Sequence, residues 1–215
     1  QLLNIAGVKY GVLGSEEKCT GDPARRLGNE FLAQTFIQQN AETLKKYNVK
    51  KVVTACPHCM HTLKNEYNKF GVELEVTHHT EYIDKLLAEK KLVPKKEIKE
   101  TVTYHDSCYL GRYNDVYEEP RKALESIDGL NLIEMARSKD KGFCCGAGGG
   151  RMFLEETEGK RVNVERTEEA INTGAKTIAS ACPFCMTMLT DGLKSKEKSE
   201  EVKVKDVAEI VLESL

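Results

Sequence analysis

The chain lacks any run of about 18 consecutive apolar residues, so none of its segments reads as a membrane-spanning helix. It also lacks a dominant sign of charge. Lys and Arg number 32 against 34 Asp and Glu, interspersed throughout, and the net charge of −2 gives no electrostatic footprint for nucleic acid. No leader-like segment with a basic start and an apolar core precedes the first apolar run. An initiating methionine is missing too: Gln1 stands first, as expected of a piece of a longer polypeptide. What the chain does have is cysteine, eight residues in 215. Disulfide-dense domains are typically small secreted ones, and this Lys/Glu-rich chain is of ordinary size. Two Cys-x2-Cys pairs, Cys56/Cys59 and Cys182/Cys185, each enclose a proline and read as metal ligands. A 40% hydrophobic content suffices for a globular core, with either one domain or two of about 100 residues each.

The densest signal is Phe143-Cys144-Cys145-Gly146-Ala147-Gly148-Gly149-Gly150-Arg151. Adjacent thiols rarely bridge each other, because disulfide geometry strains across one peptide unit. They can aim sulfur at one inorganic centre if the backbone bends freely, and glycine allows that. With Cys108 upstream and Cys182/Cys185 downstream the pattern is Cys-x35-Cys-Cys-x36-Cys-x2-Cys, five thiols in three separated clusters. As a dinucleotide turn the glycine run is weak, since no acidic ribose ligand follows at a strand end.

Sliding the chain by 126 residues reveals a repeat. Cys19 falls on Cys145, Cys56 on Cys182, Cys59 on Cys185 and Arg25 on Arg151. In this register Lys18 falls where Cys144 stands, leaving the first unit one thiol in place of the pair. The counterpart of Cys108 would lie before Gln1. The first unit thus holds Cys19, Cys56 and Cys59, with a fourth ligand expected upstream of Gln1 or from His78/His79.

Strand and turn material is expected over residues 2–13 and a helix over 23–47, where Leu27, Phe31, Ile37 and Leu44 recur near a helical period. A strand over 51–55 leads into a helix opened by Pro57, then a strand over 72–76 and a helix capped by Thr80. The second unit repeats this: strand 101–104, helix 120–127, strand 130–133, helix from about 154 to 173, strand 177–181, helix 183–189, strand 202–204, helix 206–212. Alternating strands and helices imply an α/β fold with largely parallel sheets. The two units are expected over 1–93 and 101–215, divided near Pro94-Lys95-Lys96-Glu97 and related by pseudo-twofold symmetry. The cysteines then lie at carboxyl ends of strands, where open α/β sheets present their sites.

With those residues in view the chain resembles the CCG, or cysteine-rich, domain family, whose paired-cysteine pattern usually occurs in two copies. The second unit matches throughout, including His105-Asp106-Ser107-Cys108-Tyr109-Leu110-Gly111-Arg112. The stretch Glu17-Lys18-Cys19-Thr20-Gly21-Asp22-Pro23-Ala24-Arg25-Arg26 looks like the first repeat of large bacterial members. Heterodisulfide reductase subunits and the iron–sulfur subunits of glycolate oxidase are in this family. So are membrane-bound oxidoreductases that pass electrons from electron-transfer flavoprotein to menaquinone.

The resemblance implies a non-cubane 4Fe–4S cluster held by Cys108, Cys144, Cys145, Cys182 and Cys185. For Cys19, Cys56 and Cys59 it implies an ordinary 4Fe–4S cluster, with zinc as the competitor because three- and four-cysteine tetrahedra are common structural sites. It implies an iron–sulfur oxidoreductase subunit, the C-terminal part of a membrane-associated protein at the cytoplasmic face. Its partners would be a flavoprotein such as electron-transfer flavoprotein, a ferredoxin-type domain and a quinone-reducing domain. Disulfide reduction of the heterodisulfide reductase type and a zinc-stabilised interaction module are the alternatives. His58 and His61 flank Cys59, so either could replace the absent ligand. His105 is placed to tune a cluster or relay a proton, and Arg25 and Arg151 to offset cluster charge.

Overall fold

The computed structural model describes residues 1–154 and 156–215. The chain opens with α1 (Leu2–Ile5), α2 (Asp22–Arg26) and α3 (Glu30–Lys46). The leading apolar residues form a short helix rather than the expected strand; Leu2 and Leu3 pack onto the main core instead of joining a ladder. Gly28, at φ +85, breaks the expected 23–47 helix between α2 and α3. Asn29 then starts α3 by accepting from the Leu32 amide at 3.0 Å. On α3, Ala33, Ile37, Ala41 and Leu44 face the core at helical spacing.

The first parallel pair is β1 (Lys51–Thr54) and β2 (Glu75–His78), joined through α4 (Pro57–Asn65) and followed by α5 (His79–Ala88). The second unit contributes β3 (Thr101–Tyr104), α6 (Gly111–Asn114), α7 (Glu118–Glu125), β4 (Asn131–Ile133), α8 (Val162–Ile171), β5 (Thr177–Ser180), α9 (Pro183–Ser195), β6 (Lys203–Asp206) and α10 (Val207–Ser214). Its sheet is parallel throughout, in the order β4-β3-β5-β6. The fold is therefore α/β with duplicated units, as the sequence suggested.

The duplication shows in local chemistry. In each unit a cysteine in extended conformation ends a strand and caps a helix whose first residue is proline: Cys56 before α4, Cys182 before α9. In each unit the next strand ends on a capping box, His78 with Glu81 and Asp206 with Glu209. The cap of α5 is His78 rather than Thr80, and β2 lies three residues beyond its expected start.

The helix expected from about 154 begins only at Val162, and Glu155, inside that expected range, lies outside the described residues. Ahead of it, residues Gly148–Phe153 form tight turns in which Gly149 and Gly150 take left-handed φ of +66 and +76. A side chain at Gly150 would run into Leu27, so here glycine permits both the turn and the close approach of α2.

One core serves both sheets. It runs from Leu44, Met60, Val76 and Ile83 to Val102, Leu124, Val207 and Ile210. The charged connector near Pro94 is pinned at the far side, where the Lys95 and Lys96 amides both donate to the Ser214 carbonyl. Equivalent residues also meet one another. His58 of α4 lies 4.9 Å from Phe184 of α9, edge to face, which marks the local twofold between the units.

Candidate metal centre

Strand ends and helix starts deliver the sulfurs to one place. Cys182 is fully buried, and the Phe184 and Cys185 backbone at the start of α9 favours its thiolate. The Gly146 amide donates to Cys144 Sγ at 3.2 Å, and the Gly148 backbone further favours the thiolate. Backbone N–H groups aimed at sulfur favour the thiolate, as helix starts do generally.

The thiols form a continuous series. Cys108 meets Cys144, Cys144 meets Cys145, Cys145 meets Cys185, and Cys185 meets Cys182. Cys182 in turn meets Cys56, and Cys56 meets Cys59. As free thiols, two sulfurs of the series, Cys144 and Cys182, have low proton affinity and the others high. Cys144 is held well below the usual thiol range by donation from Cys108, then from Cys145. Cys182 is held low by Cys185, then by Cys56. Their neighbours are pushed up correspondingly: Cys145 to about 12, chiefly by Cys144, and Cys56 to about 12, chiefly by Cys182.

All five second-unit cysteines named from sequence are thus brought together. Around them Met188, Met152 and Phe184 pack with Cys145, Cys182 and Cys185 and keep water away. A donor set of sulfur alone, with amides directed at the sulfurs, fits an iron–sulfur cluster.

Cys19, Cys56 and Cys59 line a cavity of about 400 Å³ together with Lys18, Thr20, Asp22, His58 and Phe184. Here the structure corrects the repeat register. Gly21 has φ +93 and its amide donates to Cys19 Sγ at 3.4 Å; Gly146, also at φ +93, donates to Cys144. Cys19 therefore matches Cys144, not Cys145, and Thr20 takes the place of the second thiol. Thr20 Oγ1 donates to Cys59 Sγ at 3.5 Å, as Cys145 contacts Cys185. In this register Lys18 falls on Phe143 and is not the substituted position. Aligning Cys-Thr-Gly with Cys-Cys-Gly, one residue out of register with the later motifs, is the signal that would have found this.

The histidines divide sharply. His78 and His79 do not line the cavity: His78 caps α5, and His79 Nε2 lies 2.8 Å from Asp206. Burial pushes His78 down to about 3, with the neighbouring His79 adding to the effect. His58 does line the cavity. Its Nδ1 lies 3.0 Å from the buried Asp22 carboxylate, which leaves Nε2 as the ring nitrogen not engaged by Asp22. His61 contacts Asn65 and Asn114 instead.

His105 is buried, and its Nδ1 lies 3.0 Å from Arg166 Nε. Burial, then Arg166, pushes it down to about 3. Arg25 pairs with Glu30 and Glu66. Arg151 is exposed beside Glu156 at 3.2 Å. Neither arginine faces the sulfurs through these contacts.

A duplicated parallel α/β unit that gathers its cysteines at strand ends in this way defines the cysteine-rich domain, and the chain belongs to that family, which matches residues 1–64 and 102–190. Among curated relatives it is similar to the probable iron-sulfur-binding oxidoreductase FadF of Bacillus subtilis, at 51% identity over the whole chain and 30% of that protein. It is 49% identical to the EtfAB:quinone oxidoreductase of Syntrophomonas wolfei, again over the whole chain and 31% of the relative. It is 37% identical to one component of the dihydromethanophenazine:CoB--CoM heterodisulfide reductase of Methanosarcina barkeri, covering 54% of that component. The chain thus spans about a third of the first two relatives and about half of the third. Among the described residues no helix is long and apolar enough to cross a membrane.

Proposed function

We propose that this chain is the iron–sulfur portion of an oxidoreductase that moves electrons from a flavoprotein, such as electron-transfer flavoprotein, or from a ferredoxin-type domain to a quinone. The observation that carries this reading is the unbroken series of thiols from Cys108 to Cys59, which joins the two units. Cys108, Cys144, Cys145, Cys182 and Cys185 would hold a 4Fe–4S cluster of the non-cubane kind, and Cys19, Cys56 and Cys59 a second centre. Bound clusters supply one-electron chemistry over a wide range of potentials. The chain's own residues do the rest. The Gly146, Gly148, Phe184 and Cys185 amides stabilise charge on sulfur, while Met152, Met188 and Phe184 exclude water.

We take residues 1–93 and 101–215 as the two functional units. Relay to a quinone is preferred over disulfide reduction because identity to the EtfAB:quinone oxidoreductase is 49%, against 37% to the heterodisulfide reductase component. A place at the cytoplasmic face of a membrane, within a larger protein, agrees with the name of a relative 38% identical over the whole chain, the probable membrane-anchored ferredoxin of Chromohalobacter salexigens. For the first site a second reading is zinc. It is favoured by the Asp22–His58 pair, since a carboxylate behind an imidazole is the usual support of a metal-bound histidine. The reading of a zinc-stabilised module without redox activity predicts a colourless protein.

The test is anaerobic purification of the full-length protein, with iron and sulfide assays and electron paramagnetic resonance. Expected are a brown colour and an oxidised-state signal that changes in both Cys144→Ser and Cys145→Ser. Stoichiometric zinc without iron, or a signal indifferent to both substitutions, refutes the reading.

A further inference from the structure

We propose that His105 is a fixed hydrogen-bond donor to the sulfurs of Cys145 and Cys185, locked in one tautomer by Arg166, and that this donation sets the reduction potential of the second site. The inference rests on the cluster reading for that site.

Arg166 projects from α8 and is fully buried. Its Nε lies 3.0 Å from His105 Nδ1. A guanidinium has five N–H donors and no acceptor, so Nδ1 must present its lone pair to it. The ring proton of the neutral imidazole then sits on Nε2. That Nε2 is buried and has no hydrogen-bond partner among the described residues. A ring nitrogen of His105 lies with Cys145 Sγ and Cys185 Sγ in a group whose three atoms are all within 4.8 Å of one another. With Nδ1 engaged by Arg166, the two sulfurs beside the ring are the acceptors we assign to this unpartnered N–H.

One nitrogen and two sulfurs so close together also have the composition of a metal site. The lock argues against coordination, because a nitrogen that carries its proton has no lone pair to give. A ligand histidine is held the opposite way, donating its far N–H to a carboxylate or carbonyl. His58 has that arrangement toward Asp22; His105 has the reverse.

The geometry is held on both sides. Arg166 Nη1 donates to the Arg137 carbonyl and to Glu169, each at 2.9 Å. The His105 amide donates to the Ala179 carbonyl at 2.8 Å, fixing the base of the ring against β5. Donation to a cluster sulfur favours the reduced, more negative state and so raises the potential.

The experiment is a redox titration followed by electron paramagnetic resonance on the full-length, anaerobically prepared protein. The set is wild type, His105→Phe and His105→Gln, with an additional wild-type sample labelled with 15N-histidine. His105→Phe should keep its iron and shift the second-site midpoint to more negative potential. Glutamine can accept from Arg166 and donate toward the sulfurs, so His105→Gln should restore most of the wild-type midpoint. Labelled wild type should show a weak 15N coupling and an exchangeable deuteron. A strong, directly coordinated 15N coupling overturns the proposal, as does an unmoved midpoint in His105→Phe. Should His105→Phe fail to fold, the coupling in wild type decides. If the wild type carries zinc and no iron, the cluster reading has failed separately. The zinc-bound chain is then diamagnetic and gives the tautomer directly by 15N–1H resonance: a proton on Nδ1 overturns the lock, and a proton on Nε2 supports it.

Discussion

The thiol of Cys56 meets the thiol of Cys182, although 126 residues separate them. Two Cys-x2-Cys motifs that sequence assigns to separate centres therefore share a wall. The first site and the five-cysteine site are neighbours, coupled through side chains rather than only through the core.

This contact predicts a specific cross-link. In a Cys59→Ser/Cys185→Ser variant stripped of metal, diamide should remove two electrons and two protons from Cys56 and Cys182 and join them. Peptide mapping should recover that linked pair, and metal-loaded wild type should be protected. Recovery of Cys56 linked to Cys19 instead would mean that the two motifs are not adjacent.

The corrected register predicts where a fifth thiol belongs in the first unit. Thr20→Cys should change the spectrum of the first site, because Thr20 Oγ1 already reaches Cys59 Sγ. Lys18→Cys should leave it unchanged, because in the corrected register Lys18 falls on Phe143 rather than on a thiol. The reverse result would restore the ungapped alignment.

His78 predicts an acid sensitivity. Its folded pKa, about 3, lies below an unfolded value near 6.5, so between these values the unfolded chain binds the extra proton. Stability should therefore fall as pH drops from about 6.5 toward 3, by about 1.4 kcal/mol per pH unit from this one group. Urea midpoints at pH 7, 6 and 5 should decline less steeply for His78→Gln than for wild type. Parallel pH profiles would show that His78 contributes nothing to the dependence.

Much of this was legible because it follows from local rules. Pro57 and Pro183 open helices after a cysteine, β-branched runs make β1 and β5, and five thiols at matching intervals announce one centre. The less legible parts depend on backbone hand or on long-range packing. Gly21 and Gly146 are interchangeable letters until their left-handed φ and their amide–sulfur bonds show which cysteines correspond. Leu2–Ile5 has a strand-like composition, yet it coils, with Leu2 and Leu3 packed onto the main core. Arg166 carries no motif at all; only the fold lays α8 across His105. His78 and His79 looked like spare ligands, and helix capping and Asp206 have already engaged them.

The meeting of equivalent residues at Cys56/Cys182 and His58/Phe184 is the geometry of a symmetric homodimer written on one chain. In a true dimer every change strikes both halves at once, and the two sites must stay identical. Fusion removes that constraint. Thr20 opposite Cys145 and His58 opposite Phe184 are differences that identical subunits cannot hold, and they make the two cysteine clusters unlike. Between identical centres an electron has no preferred side; between unlike ones it has a direction.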